Sequence, residues 1–181
     1  SDAAKILPKR QTDAYKNSCG TVAVLAGSIG FTGAAMLSSK SALRSGSGLV
    51  YLACPASLNA IYESALPEII TVPFPDKNSG RHSVFNRDEI FNLIRKQDVL
   101  ALGPGLGQAP ETGELVQAVL KEISNPLVLD ADGLNACADH TDLIKNYPGE
   151  LVITPHPGEL ARLLGTTTQD IFKDRIEFAK Q

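Results

Sequence analysis

No Cys-x-x-Cys pair occurs in this chain. Its three cysteines, Cys19, Cys54 and Cys137, are odd in number and far apart, so buried, reduced thiols in a cytoplasmic protein are expected rather than a metal knuckle or a disulfide framework. Long apolar runs are missing too. The longest are strand-sized and broken by Gly or Pro, and no leader precedes a cleavage-like site, so no membrane partner is expected. Positive charge is not in excess: 17 Lys and Arg against 20 Asp and Glu leave a net charge of −3. That excludes the electrostatic footprint of a nucleic-acid binder. Lys5, Lys9, Arg10 and Lys16 are scattered and read as a solvated arm. An initial Met is absent, and a chain opening Ser1-Asp2 reads as processed or as a fragment. What is present, 181 residues with 43% hydrophobic and 6% aromatic content, suits one globular domain with a sizeable core.

Short apolar runs alternate with helical stretches along this chain. Val22 to Ala26 reads as a buried strand, Gly27 to Gly30 as a loop, and Thr32 as the N-cap of a helix ending near Arg44-Ser-Gly46. Leu49 to Ala53 is a second strand, Pro55 to Leu66 is helical, and Ile69 to Val72 is a third strand. Pro73 to Asn86 turns polar and rich in Pro and Gly, which predicts an exposed excursion of weak structure. Asp88 to Lys96, Pro110 to Ile123 and Asp132 to Ala138 read as helices, with Val99 to Leu102, Leu127 to Leu129 and Leu151 to Ile153 as strands. Pro157 and Gly158 open a helix that Gly165 stops. Thr168 to Lys180 closes the chain as one helix with Phe172, Ile176 and Ala179 on a single face. This alternation predicts an α/β fold with a parallel sheet covered on both faces. Right-handed crossovers then put all strand carboxyl ends on one edge, where such sheets bind ligands.

The unusual residues fall at that edge. Gly27-Ser-Ile-Gly-Phe-Thr-Gly-Ala-Ala35 carries three glycines into a helix, but it is neither G-x-G-x-x-G nor a P-loop, since no Lys-Ser/Thr follows. Gly103-Pro-Gly-Leu-Gly107 is the stronger signal. Three glycines in five residues cost stability unless the backbone must approach something closely. Asp130-Ala-Asp132-Gly-Leu-Asn135 puts two carboxylates at a strand end, suited to Mg²⁺ or a hydroxyl-bearing ligand; one is expected to cap a helix and the other to face the ligand. Thr154-Pro-His-Pro-Gly-Glu159 combines a rigid turn with a carboxylate in the first helical turn, where anions and metals are commonly handled. His156, held rigidly between two prolines near the same pocket, reads either as a hydrogen-bonded structural group or as a pocket residue, whereas His82 and His140 lie in polar stretches and no role is assigned to them.

Together with Lys16-Asn-Ser-Cys-Gly20 and Ala42-Leu-Arg-Ser-Gly-Ser-Gly-Leu-Val50, these motifs match in order and spacing those of a known group. From about Leu7 to Gly165 the chain closely resembles the ADP/ATP-dependent NAD(P)H-hydrate dehydratases of the ribokinase-like superfamily. Departures are mild: Phe31 stands where that family often has Tyr, and Cys19 sits in a usually Gly-rich start. The resemblance implies a ribokinase-like three-layer αβα sandwich. It also implies a repair reaction in which ADP or ATP phosphorylates the ring hydroxyl of NAD(P)H hydrate and phosphate loss restores NADH or NADPH. On the same ground Ala34, Gly105 and His156 would bind the dinucleotide, Gly103, Gly107, Asp132 and Asn135 would support the pocket, and Glu159 would organise Mg²⁺ through water. Homo-oligomers and an epimerase domain or protein in the same pathway accompany such enzymes. The family's Gly-Gly-Thr-Gly-Asp segment, which carries the catalytic aspartate, has no counterpart after Gly165. The expectation is therefore a single incomplete ribokinase-like domain over residues 1–181, an assigned catalytic residue being unknown, with weak or no turnover by these residues alone. A small-molecule kinase of the same superfamily and a non-catalytic nucleotide-binding module are the competing readings.

Overall fold

In the computed structural model, residues 19–180 are described; the arm bearing Lys5, Lys9, Arg10 and Lys16 lies outside them. Among the described residues six strands form one sheet, β1 (Thr21–Leu25), β2 (Leu49–Pro55), β3 (Ile70–Phe74), β4 (Val99–Leu102), β5 (Leu127–Leu129) and β6 (Leu151–Ile153). Every pairing is parallel, and the spatial order is β3-β2-β1-β4-β5-β6. From β1 the chain winds one way to β3, returns to β4 beside β1, and winds the other way to β6. The order therefore reverses between β1 and β4, and at such a switch point the two following loops diverge and leave a crevice.

Alternating residues of each strand feed two cores. On one face Val24, Val50, Leu52 and Cys54 pack with Ala35 of α1 (Thr32–Arg44) and Tyr62 of α2 (Asn59–Ala65). On the other, Leu25, Leu100, Leu102 and Leu129 meet Ile90 and Ile94 of α3 (Arg87–Ile94) and Leu115, Val116 and Val119 of α4 (Pro110–Glu122). The remaining helices are α5 (Asp132–Asn135), α6 (Thr141–Lys145), α7 (Pro157–Leu163), α8 (Thr168–Lys173) and α9 (Arg175–Phe178). The expected three-layer α/β architecture is present. Cys54 and Cys137 are buried free thiols and Cys19 is partly buried, and among the described residues no helix is long and apolar enough to cross a membrane.

Several local expectations differ from the structure. Phe31, not Thr32, occupies the N-cap of α1, and no side chain caps that helix. Pro55 ends β2, and the predicted Pro55 to Leu66 helix splits into a 3₁₀ turn at Ala56–Leu58 and α2. The final helix breaks at Asp174, whose carboxylate accepts from Glu177 N at 3.0 Å and restarts the chain as α9. Ile171 is therefore the buried residue there, while Phe172 and Ile176 stay exposed.

The largest correction concerns residues 75–86, which form a packed strap rather than a weak excursion. Asp76 is buried and accepts from Ser57 Oγ at 2.5 Å, Ser57 N at 3.2 Å and Gly80 N at 2.7 Å. Gly80 O in turn accepts from Ile29 N at 2.7 Å, so the strap is pinned onto the loop after β1. His82, expected to be a surface residue, is only 2% exposed. Its Nε2 lies 3.4 Å from Ala26 O, and its own carbonyl accepts from Thr112 Oγ1 at 2.6 Å. A stretch most of whose buried polar groups are satisfied internally can pack although its composition resembles a loop; His82 Nδ1 is the exception, buried without a partner.

Candidate functional site

The crevice between the ends of β1 and β4 is built by the two glycine-bearing loops. Gly27 N donates to Pro104 O at 2.8 Å, and the buried Ser28 Oγ donates to Gly105 O at 2.8 Å. These bonds zip the loop after β1 to the loop after β4. Gly105 adopts φ +65°, and a Cβ there would stand 2.7 Å from Ala34 Cβ and 2.9 Å from Phe31 Cβ. Only glycine lets the second loop lie on the start of α1 so closely. Ala34 and Gly105, paired at the sequence level, are thus in contact.

Gly103 turns the same loop toward β5. Its φ is +123°, and a Cβ would fall 1.9 Å from Asp130 O and 2.8 Å from Gly133 N. Gly103 therefore serves packing, whereas a Cβ at Gly107, at φ +77°, would meet no close neighbour, and Gly107 N donates to Asp132 Oδ2 at 2.9 Å. Neither Asp130 nor Asp132 caps a helix, contrary to expectation. Ala131 is the N-cap of α5, at φ 50° and ψ −118° with no side-chain capping bond. That backbone is sparsely populated for a residue with a side chain, and it separates the two carboxylates. Asp130 Oδ1 accepts from Thr154 Oγ1 at 2.7 Å, while Asp132 Oδ1 lies 3.4 Å from Asn135 Nδ2.

Beyond β6 the turn closes on itself. His156 is the N-cap of α7: its Nδ1 accepts from Gly158 N at 3.0 Å and Glu159 N at 3.3 Å. Glu159 returns the bond, its Oε2 accepting from His156 N at 2.9 Å. This is a capping box with histidine in the Ser/Thr role. Because Nδ1 accepts, the neutral ring carries its proton on Nε2, 3.1 Å from Glu159 Oε1. The Glu159 side chain is only 7% exposed and the imidazole 63%, so His156 faces the solvent edge over a buried acid. Arg162 of α7 donates to Asn135 Oδ1 and joins this turn to α5.

These donors fit a divalent cation only through water. Among the described residues no three His, Cys, Asp or Glu side chains converge as a ligand cluster, which rules out a cage of direct protein ligands formed by those side chains. Glu159 nevertheless accepts one hydrogen bond, from His156 N, with its Oε1 3.1 Å from His156 Nε2, and a carboxylate has about four lone-pair sites. Its free lone pairs are the ones available to ordered water. Beside the crevice an open cleft of about 490 Å³ is lined by Gly107, Gln108, Glu114, Asp132, Asn135 and Arg162. Another of about 500 Å³ lies between Thr154, Pro155, Pro157, Ile171 and Arg175.

The fold gathers Ala34, Gly105, Gly103, Gly107, Asp132, Asn135, His156 and Glu159 along one sheet edge. Ser28, Thr154, Arg162 and the strap had not been assigned roles from sequence. The Asp76-x-x-x-Gly80 pairing was the one available signal, an acid poised to accept from a glycine amide in a turn.

An all-parallel sheet with glycine turns at its switch point and acids on the adjoining strand ends defines a doubly wound α/β protein with its ligand site at the strand carboxyl ends, and its structural neighbours give that fold as ribokinase-like. A ribokinase-like protein from Enterococcus faecalis superposes with a TM-score of 0.75 over 91% of this chain and 55% of its own, at 22% identity. The NAD(P)H-hydrate dehydratase family model matches residues 22–181, and the chain belongs to that family. It is 42% identical over 173 residues to the bifunctional NAD(P)H-hydrate repair enzyme Nnr of Moorella thermoacetica, covering 96% of this chain and 33% of the relative. The ATP-dependent (S)-NAD(P)H-hydrate dehydratase of Pediculus humanus is 35% identical, over 88% of this chain and 51% of the relative. The ADP/ATP-dependent NAD(P)H-hydrate dehydratase of Bacillus subtilis, co-crystallized with ATP/Mg²⁺, is 31% identical, with a TM-score of 0.77 over 96% of this chain and 57% of its own. The chain thus spans between a third and somewhat over half of the relatives it matches.

Proposed function

We propose that this chain supplies the dinucleotide-binding crevice of an ADP- or ATP-dependent NAD(P)H-hydrate dehydratase, a lyase that repairs hydrated NADH or NADPH. The observation that carries this reading is the Gly105–Ala34 contact, a glycine backbone laid on a helix start at the switch point. Its neighbours have the chemistry that phosphoryl transfer to a ring hydroxyl needs, which is mostly positioning and charge stabilisation. Ala34 and Gly105 form a floor of backbone and one methyl group for the hydrated ring, and His156 presents its exposed imidazole edge to the dinucleotide. Gly103, Gly107, Asp132 and Asn135 hold that floor in place. Glu159, buried beneath His156, orders water around Mg²⁺, which when bound neutralises charge on the phosphoryl group. The Bacillus relative was crystallized with ATP/Mg²⁺, which supports that ion and donor. The word bifunctional in the Moorella relative's name supports an accompanying epimerase activity. Three cysteines without a disulfide partner, two of them buried, support a cytoplasmic setting.

The test is dehydration by the intact protein. Hydrated NADPH and hydrated NADH are incubated with ATP, with ADP and with neither, and the near-ultraviolet absorbance of the reduced nicotinamide is followed. Absorbance is expected to return only with nucleotide and Mg²⁺. Phosphorylated hydrate accumulating without return would favour a kinase instead, and binding without any reaction would favour a non-catalytic module.

A further inference from the structure

The crevice is asymmetric in a way that none of its assigned residues explains. Asp130, Asp132 and Glu159 follow β5 and β6, whereas residues 27–35, following β1, contain no charged side chain, and the nearby Asp76, after β3, is buried with its carboxylate held by Ser57 and Gly80. That uncharged side is not bare backbone. Ile29 and Phe31 flank Gly30 and are 55% and 59% exposed, two large apolar side chains held out at the mouth of the site. Their loop is fixed at three points: Ile29 N donates to Gly80 O at 2.7 Å, Phe31 N to Ser28 O at 2.9 Å, and Gly27 N to Pro104 O at 2.8 Å. Phe31 Cβ also lies against the Gly105 backbone. A rigidly mounted, exposed aromatic side chain beside a ligand-facing glycine has the properties of a stacking surface, because its hydration is lost only when a flat apolar partner covers it.

We infer that Phe31, with Ile29 beside it, forms the shelf on which the hydrated nicotinamide ring rests, an inference that builds on the dehydratase reading. Charge complementarity selects the occupant. The hydrated ring is neutral, and its carboxamide stays conjugated with the remaining ring double bond, leaving a flat face for an aromatic surface. The phosphoryl donor is strongly anionic and needs a cation, so its side of the crevice is the acid-bearing one. The ring hydroxyl then lies over the Gly103–Gly107 loop, between the two.

The experiment compares Phe31→Tyr, Phe31→Leu and Phe31→Ala in the intact protein, with folding checked by circular dichroism and the unfolding midpoint. KM is measured separately for hydrated NADPH and for ATP, and NADPH binding is followed by its fluorescence. Loss of one stacked aromatic is expected to raise the hydrate KM and the NADPH Kd about tenfold in Phe31→Ala, with Phe31→Leu intermediate and Phe31→Tyr within about twofold of the parent. The ATP KM stays unchanged. A folded Phe31→Ala protein with unaltered hydrate KM and NADPH Kd, or one in which only the ATP KM rises, overturns the shelf while leaving the dehydratase standing. If the parent protein does not dehydrate the hydrate, it is the dehydratase reading that fails, and the NADPH titration alone then decides whether Phe31 holds the ring.

Discussion

Gly103→Ala is expected to cost roughly 3–5 kcal/mol of stability, combining a strained left-handed backbone with an overpacked contact. The φ of +123° already disfavours a side chain, and the added methyl would sit 1.9 Å from the Asp130 carbonyl oxygen and 2.8 Å from Gly133 N. Both are backbone atoms. Relief therefore requires moving the β5–α5 turn, which holds Ala131 in its own uncommon conformation and sets the direction of Asp130 and Asp132. Urea unfolding with and without the substitution reads the loss directly. Gly113→Ala is the control, since a Cβ there meets nothing within 4 Å and lies inside α4. It is expected to stabilise by about 1 kcal/mol through helix propensity. Equal midpoints for Gly103→Ala and the parent would remove the packing explanation for that glycine.

Acidification is expected to weaken the fold through His82. Burial pushes its imidazole from 6.5 down to about 4, although the Ala26 carbonyl and the charge of Asp76 both pull the other way. Between those two pH values the unfolded chain binds a proton that the folded chain does not. The stabilisation is fully present above about 6.5 and is lost as pH falls toward 4, a change of roughly 3 kcal/mol for a shift of this size. Asp76 adds its share at lower pH. Burial would raise its carboxyl, but the hydrogen bonds from Ser57, Gly80 and Asn78 outweigh that and hold it below the usual range. Its contribution is present above the unfolded pKa and lost as pH falls through the folded one. Unfolding free energies of the parent and of His82→Gln, measured from pH 7.5 to 4.5, should converge as the parent loses stability. Curves of equal slope would show that His82 is not the titrating group.

The sheet and most of its helices were legible from apolar periodicity, because buried parallel strands such as Val22 to Leu25 and Val99 to Leu102 are continuous apolar runs. The edge motifs were legible because glycines there are costly unless the backbone comes close to something, as Gly103 and Gly105 do. The strap was hidden for the opposite reason. Its residues are those of a loop, and what packs them is a set of long-range bonds from Asp76, Gly80 and His82 that no local pattern announces. The acids were found but their roles were misjudged. A cap was expected from Asp130 or Asp132, yet the tight turn at Ala131 sends one to Thr154 and the other to Gly107. His156 and Glu159 were correctly paired by position, but that the histidine itself would cap α7 could not be read from a Pro-His-Pro sequence.

Amide hydrogen exchange of the intact protein, with and without hydrated NADPH, tests most directly whether the dinucleotide is held at the switch point between β1 and β4. Slowed exchange is predicted at residues 27–34, 103–107 and 156–159, with α2 and α6 unchanged. Protection confined to the cleft between α4 and α7, or no protection at those three segments at a saturating ligand concentration, would contradict that placement.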